Sequence, residues 1–90
     1  MNPVPDPVNP AEVDARGLRC PLPVIRLAEA AREAPDGAEI VVLATDPAAR
    51  YDIPAWCRMR GHQLRETTEV LAQGDDPAYL RFVVRIGQRT

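Results

Sequence analysis

The residues of this 90-residue sequence best suited to reactive chemistry lie in the segment RCPLP. It places Cys20 directly after Arg19 and ahead of Pro21 and Pro23. Because a proline in the first helical turn lacks an N–H that would have no partner there, this order predicts a helix that starts at the cysteine. Cys20 would then be the cap residue, with Pro21 first and Pro23 third in the helix. The segment therefore predicts a rigidly held thiol at a helix N-terminus.

The surroundings predicted for the Cys20 thiol favour its ionised form. A helix dipole stabilises a thiolate at the helix N-terminus, and the adjacent Arg19 guanidinium adds positive charge. Arg50 lies on a loop that we expect next to Cys20 and is a second cation for the same site. We therefore expect the pKa of this thiol to lie below the ordinary value of about 8.5. A cysteine that only caps a helix is the alternative interpretation.

Other residues with chemical potential are better explained as structural. Cys57 shares a predicted helix face with Ile53 and Trp56, and free cysteine is among the most buried residue types, so we expect all three in the core. Asp46 and Asp52 each lie close before a proline and are most simply helix caps. With a single histidine and no Cys-x-x-Cys pair, a zinc site with four protein ligands is not expected.

Apolar patterning predicts six elements in the order β-α-β-α-β-β. A short strand over 13–18 precedes an amphipathic helix, and the unbroken apolar run EIVVLAT predicts a strand near the sheet centre. A second helix and two strands that form a hairpin follow, the first of these with Leu64 and Val70 inward. Since a crossover helix starts at the C-terminal end of a strand, Cys20 and the 46–52 segment should be neighbours at one edge of the sheet.

Composition narrows the class of protein. Ninety residues, 46% of them hydrophobic, suffice for one small domain, which we expect over 12–90 after an extended proline-rich tail at 1–11. A net charge of −2, with eleven scattered arginines and no lysine, disfavours direct nucleic-acid binding. Without a signal peptide or a long apolar run, we expect a cytoplasmic protein with no membrane partner.

Two separated motifs resemble those of the TusA or SirA-like family of small sulfur carriers. The first is Asp-x-x-Gly-x-x-Cys followed by Pro-x-Pro, which corresponds here to Asp14, Gly17, Cys20, Pro21 and Pro23. The second is an Asp-Pro-Ala segment that runs into Asp-Ile-Pro and an aromatic-Cys pair, present here as DPAARYDIPAWC. The resemblance covers nearly all of the chain after the proline-rich segment.

The resemblance implies an α/β two-layer sandwich, with a small mixed four-stranded sheet and both helices on one face. It also implies that Cys20 carries sulfur as a persulfide, taken from a cysteine desulfurase or a rhodanese-like protein and passed to an acceptor protein of a sulfur relay. No metal or organic cofactor is implied, and we expect the free protein to be a monomer. The residues expected to support the carrier are Arg19, Pro21, Pro23, Asp46 and Arg50.

The final acceptor stays open because of one departure from the family pattern. In members that serve tRNA thiolation, the residue between the prolines is often Glu, whereas here it is Leu22. Thiolation of tRNA, molybdenum-cofactor assembly and sulfur oxidation are the alternative routes. A non-catalytic interaction or regulatory module that docks a partner with the same helix end is the alternative function. A thiol-disulfide oxidoreductase is disfavoured because no second cysteine is nearby in the sequence.

Overall fold

A computed structural model describes residues 11–87 of the chain. Its helices and strands follow one another in the predicted order. Most of the predicted tail lies outside the described residues, and Ala11, assigned to the tail from the sequence, is the first residue of a strand. The elements are β1 (Ala11–Ala15), α1 (Leu22–Glu33), β2 (Glu39–Ala44), α2 (Ala49–Arg60), β3 (Gln63–Val70) and β4 (Tyr79–Arg85).

The four strands form one mixed sheet in the order β1-β2-β4-β3. β1 and β2 are parallel, and β4 is antiparallel to both of its neighbours. The apolar strand β2 therefore lies in the interior of the sheet, as predicted. Its side chains are buried on both faces, which explains why its sequence is apolar without alternation.

Both helices pack on one face of the sheet, so the fold is the expected α/β two-layer sandwich. α1 contributes Leu27 and α2 contributes Ile53 and Cys57 to the main core, where they meet Phe82 of β4. Cys57 is 2% exposed, which confirms its predicted place in the core, and Trp56 packs at the margin. Across residues 11–87, no helix has the length and apolar character needed to cross a membrane.

Val70 of β3 is predicted to face the main core but lies on the other face of the sheet, because the strand contains a bulge. The pairing with β4 shifts between Leu64 and Glu66. Leu64 lies opposite Val84 of the main core, as predicted, whereas Val70 lies opposite Tyr79, which packs on the other face of the sheet. One extra residue in a strand reverses the side-chain alternation beyond it. The hydrophobic pattern alone does not show where a bulge lies in the strand.

Both helices begin at residues other than the predicted ones. α1 starts at Leu22 with Pro21 as its cap, so Cys20 belongs to the preceding turn and is not the cap residue. α2 is one continuous helix that starts at Ala49, which puts Asp52 inside its first turn rather than at its cap. The two acidic caps predicted in series are thus replaced by a single helix start between them.

The strand β1 ends at Ala15, short of the predicted limit at Leu18. The Leu18 N–H donates a hydrogen bond of 3.2 Å to the Ala15 carbonyl, which closes a turn. Gly17 adopts a positive φ of 82° in this turn, a conformation that glycine reaches without steric cost. The chain therefore leaves the sheet early and reaches Cys20 through a turn.

Candidate active site

The ends of β1 and β2 bring two loops together at one edge of the sheet. Ala15 and Ala44, the last residues of these parallel strands, are paired with each other. Beyond the strands, the Gly17 N–H donates a hydrogen bond of 2.8 Å to Oγ1 of Thr45. The predicted proximity of the Cys20 loop to the loop after β2 is therefore confirmed.

Asp46 connects the two loops through its carboxylate. Its Oδ2 accepts a hydrogen bond of 2.6 Å from the backbone N–H of Cys20, and its Oδ1 accepts one of 3.1 Å from the N–H of Ala48. These two bonds lower the pKa of Asp46, and the charge of Arg19 lowers it further. Asp46 thus satisfies a donor at the start of α2, close to its predicted role, and it also holds the backbone of Cys20 in place.

The exposed Cys20 thiol faces a second carboxylate, that of Asp52. Its Sγ donates a hydrogen bond of 2.8 Å to Oδ2 of Asp52. This hydrogen bond raises the pKa of the Cys20 thiol above its ordinary value, and partial desolvation and the charges of Asp52 and Asp46 add to the effect. The predicted lowering of this pKa is therefore wrong. The hydrogen bond to Asp52, rather than the adjacent guanidinium group of Arg19, determines the direction of the shift.

The arginines expected at the thiol act elsewhere. Arg50 forms an ion pair with Glu69 of β3, with 3.8 Å between Nη2 and Oε2. Within residues 11–87, no hydrogen bond or ion pair joins Arg50 to Cys20. Arg19 precedes the cysteine in the chain and acts electrostatically on Asp46. Positive charge therefore influences the site through the Asp46 carboxylate rather than at the sulfur.

The start of α1 positions the cysteine through the turn that precedes the helix. The Leu22 N–H donates a hydrogen bond of 2.8 Å to the Arg19 carbonyl, and the Ile25 N–H donates one of 3.1 Å to the Pro21 carbonyl. The Leu22 N–H is thus used within the turn. Pro23 is buried in the first helical turn, where its missing N–H leaves no donor unsatisfied.

Three exposed apolar side chains lie at the starts of α1 and α2, the helices that carry the two sides of the site, and we call them the apolar rim: Leu22, Ile25 and Tyr51. Leu22 is 40% and Ile25 44% exposed at the start of α1, and Tyr51 is 73% exposed in the first turn of α2. Large apolar side chains exposed together are typical of surfaces that dock another protein. The sequence pattern does not predict this surface directly; the available signal is that Leu22 and Ile25 are apolar residues outside the buried face of α1.

Asp52 contacts the thiol, a role that the sequence does not predict. The sequence predicts a helix cap, whereas the structure places its carboxylate on the thiol. The sequence does contain one signal for this role. Asp52 belongs to the second motif, and the 46–52 segment is predicted to lie beside Cys20 at one edge of the sheet. Within residues 11–87, no group of three or more His, Cys, Asp or Glu side chains is arranged to hold a metal ion.

Comparisons with known proteins identify the family. Residues 11–86 match the family described as Sulfurtransferase TusA. The chain is 41% identical over 73 residues to the sulfur carrier protein TusA of Pseudomonas syringae pv. syringae (strain B728a), covering 81% of each chain. It is 46% identical over 59 residues to the sulfur carrier protein TusA of Pseudomonas entomophila (strain L48), covering 66% of this chain and 74% of that protein.

A solved structure supports the same relationship. The crystal structure of a SirA-like protein from Desulfitobacterium hafniense aligns with a TM-score of 0.68 and 25% identity. The alignment covers 87% of this chain and 99% of that protein. The chain belongs to the sulfurtransferase TusA family, and the resemblance seen in the two sequence motifs is confirmed.

Proposed function

We propose that the protein is a sulfur carrier that holds sulfur as a persulfide on Cys20. The observation that carries this proposal is the exposed Cys20 thiol, held between two joined loops in a chain of the sulfurtransferase TusA family. The two relatives from Pseudomonas are named sulfur carrier proteins, which supports the same role here. Exposure lets a partner reach the sulfur, and the Asp46 hydrogen bond limits the positions that the loop can take.

The transfer exchanges one sulfur–sulfur bond for another. The Cys20 sulfur gives up its proton and attacks the terminal sulfur of a persulfide on the donor. A bond forms between Cys20 Sγ and that sulfur, the donor's sulfur–sulfur bond breaks, and the donor cysteine leaves as a thiolate that takes up a proton. The reverse exchange with an acceptor thiol delivers the sulfur. No external oxidant or reductant is consumed in either step.

A persulfide carrier also needs its second thiol out of reach. A nearby thiol would attack the loaded cysteine, expel hydrogen sulfide and leave a disulfide. Cys57 is free and 2% exposed within the core, while Cys20 is free and exposed. This separation in burial supports a carrier in preference to a disulfide switch.

The partners proposed for Cys20 follow from this chemistry. The donor is a protein that bears a persulfide, either a cysteine desulfurase or a rhodanese-like protein, and the acceptor is a thiol of a sulfur-relay protein. The final product is open among thiolated tRNA, molybdenum cofactor and the products of sulfur oxidation. We place the carrier in the cytoplasm, where thiols stay reduced, and expect a monomer built on one domain over 12–90.

Intact-mass analysis tests the proposal directly. The protein is incubated with a cysteine desulfurase and cysteine, and we expect a gain of about 32 Da that disappears after treatment with dithiothreitol. The reduction step is essential, because a sulfinic acid adds nearly the same mass but is not reversed by this reagent. Peptide mapping should place the reversible gain on Cys20.

Two variants control this experiment. Cys20→Ser should lose the gain completely, whereas Cys57→Ala should load as the unaltered protein does. If Cys20→Ser still gained reversible sulfur at the normal rate, Cys20 would not be the carrier. If the unaltered protein gained none from several donors, the alternative of an interaction module that docks through the apolar rim would be favoured.

A further inference from the structure

The hydrogen bond between Cys20 and Asp52 joins the starts of two different helices. The thiol lies in the turn before α1, and the carboxylate lies in the first turn of α2. Asp52 is held there by its neighbour Ile53, which is fully buried in the core. Packing therefore fixes the backbone position of Asp52, and its carboxylate reaches the thiol at the exposed surface, with 2.8 Å between the two atoms.

We propose that Asp52 keeps Cys20 protonated in the free protein, and that a cationic side chain of the sulfur donor releases the thiol by pairing with this carboxylate. This inference rests on the proposed function of Cys20 as the sulfur carrier. It assigns Asp52 as a positioning residue that acts through the cysteine, and it defines one property of the donor, a Lys or Arg side chain beside its own persulfide.

The first part of the proposal follows from the charges that face the sulfur. As a thiol, Cys20 donates its proton to Asp52; as a thiolate, it would lose this bond and stand beside the negative charges of Asp52 and Asp46. Arg19 is the cation in the adjoining turn, and its charge acts on the Asp46 carboxylate. The surroundings therefore favour the protonated form.

The second part follows from the negative charge of Asp52, which can pair with a cation of the donor. Within residues 11–87, Asp52 has no ion pair with any Arg side chain, whereas Asp14, Glu29, Glu39 and Glu69 each have one. A cation supplied by a docked partner can thus pair with Asp52 without displacing an internal partner. Pairing neutralises the carboxylate and draws it from the thiol, and both effects favour the thiolate at the moment of transfer.

The proposed state of the free protein has a chemical advantage for an exposed cysteine. Oxidation by peroxide follows thiolate character and exposure, and Cys20 is exposed. A thiol held in the protonated form resists oxidation while it waits for a donor. On docking, the proton leaves Sγ, a bond forms to the donor's terminal sulfur, and the donor thiolate takes up a proton, so the exchange balances.

Alkylation of the folded protein tests the first part. The rate of reaction of Cys20 with iodoacetamide is measured against pH for the unaltered protein, Asp52→Asn and Asp36→Asn. Asp36 lies exposed in the loop between α1 and β2, at the opposite end of the sheet, and its substitution makes the same charge change. We expect Asp52→Asn to react several-fold faster near neutral pH with a lower midpoint, and Asp36→Asn to match the unaltered protein.

Loading with two kinds of donor tests the second part. Glutathione persulfide has no protein surface, so it should load Asp52→Asn several-fold faster than the unaltered protein. A cysteine desulfurase should load this variant no faster, because the carboxylate that receives its cation is gone. An equal acceleration with both donors would overturn the proposed cation pairing, and an unchanged or higher alkylation midpoint would overturn the proposed protonation.

Failure of this inference is distinguishable from failure of the proposed function. Absence of loading in the unaltered protein would reject the sulfur carrier, whereas alkylation reports on Asp52 without any sulfur transfer. Thermal unfolding shows whether each variant is folded. If Asp52→Asn did not fold, Asp52→Ser, whose hydroxyl suits the start of a helix, would replace it in both experiments.

Discussion

The carboxylate of Asp46 accepts a hydrogen bond of 2.6 Å from the backbone N–H of Cys20, 26 positions earlier in the chain. The other oxygen of this carboxylate binds the N–H of Ala48 at the start of α2. One side chain thus ties the loop that bears the thiol to the helix that bears its acidic partner. The geometry of the site depends on this bridge between two loops.

Replacing the bridge should affect both stability and transfer. In Asp46→Ala, two backbone N–H groups lose their acceptor, and the loop around Cys20 gains freedom. We expect a lower midpoint of chemical denaturation and a several-fold slower loading of sulfur. Asp36→Ala is the matched control and should change neither quantity. Unaltered loading in a destabilised Asp46→Ala protein would mean that the bridge serves the fold alone.

Cys57 should matter for stability and not for transfer. Its side chain is 2% exposed, so Cys57→Ala removes a buried sulfur and leaves a small cavity. We expect a loss of about 1–2 kcal/mol in the free energy of unfolding, measured with urea, and an unchanged rate of sulfur loading. A large loss of loading in a folded Cys57→Ala protein would assign this thiol a part in the relay.

The Cys57 thiol should react only when the protein unfolds. Burial raises its pKa to about 11, so it is neutral at physiological pH as well as shielded. In the Cys20→Ser variant, we therefore expect no labelling by iodoacetamide under native conditions and complete labelling in denaturing urea. Rapid native labelling would show that the helix face carrying Cys57 opens readily.

Acid should weaken the fold partly through Asp14. Hydrogen bonds from the Arg16 side chain and backbone hold the pKa of Asp14 at about 2, below its ordinary value of 3.8. A carboxyl group whose pKa is lowered by folding stabilises the folded state above its unfolded pKa, and this contribution is lost as pH falls through the folded value. We expect the free energy of unfolding to decline between pH 3.8 and about 2.

The Asp14→Asn variant checks the source of that decline. It should be less stable than the unaltered protein near neutral pH and should lose less stability on acidification, because the titrating group is absent. The effect should be small, since the Asp14 side chain is 51% exposed and solvent screens the ion pair. Parallel stability curves for the two proteins would assign the acid sensitivity to other carboxylates, Asp46 first among them.

The rate at which Cys20 is oxidised should depend on Asp52 and not on an acidic residue far from the site. If Asp52 holds Cys20 in the thiol form, Asp52→Asn should form sulfenic acid several-fold faster in dilute hydrogen peroxide. Trapping with dimedone, followed by mass analysis, measures the rate, and Asp36→Asn serves as the control. Equal rates in all three proteins would mean that the Asp52 carboxylate does not lower the fraction of Cys20 present as thiolate.

Local patterns in the sequence determined the order of elements, and they also predict Cys20 as the carrier thiol. β2 is apolar without alternation because both faces of a central strand are buried. The amphipathic pattern of α1 likewise predicts its buried face, with Leu27 and Ala31 inward. These features depend on neighbours within a few residues, which is why periodicity reports them. The proximity of the two loops also followed from the order of elements.

Only the tertiary structure decided which charge the thiol meets. The sequence places Arg19 beside Cys20, but the packing of α2 delivers the carboxylate of Asp52 to the sulfur and leaves Arg50 with Glu69. A start at Asp52 would make this residue a cap, whereas the observed start about one turn earlier, at Ala49, makes it a helical residue, and local pattern does not specify that start to the residue. The face of Val70 depends in the same way on a bulge in β3. Such outcomes depend on contacts between distant segments, so the pKa of the thiol is a property of the fold rather than of its neighbours in sequence.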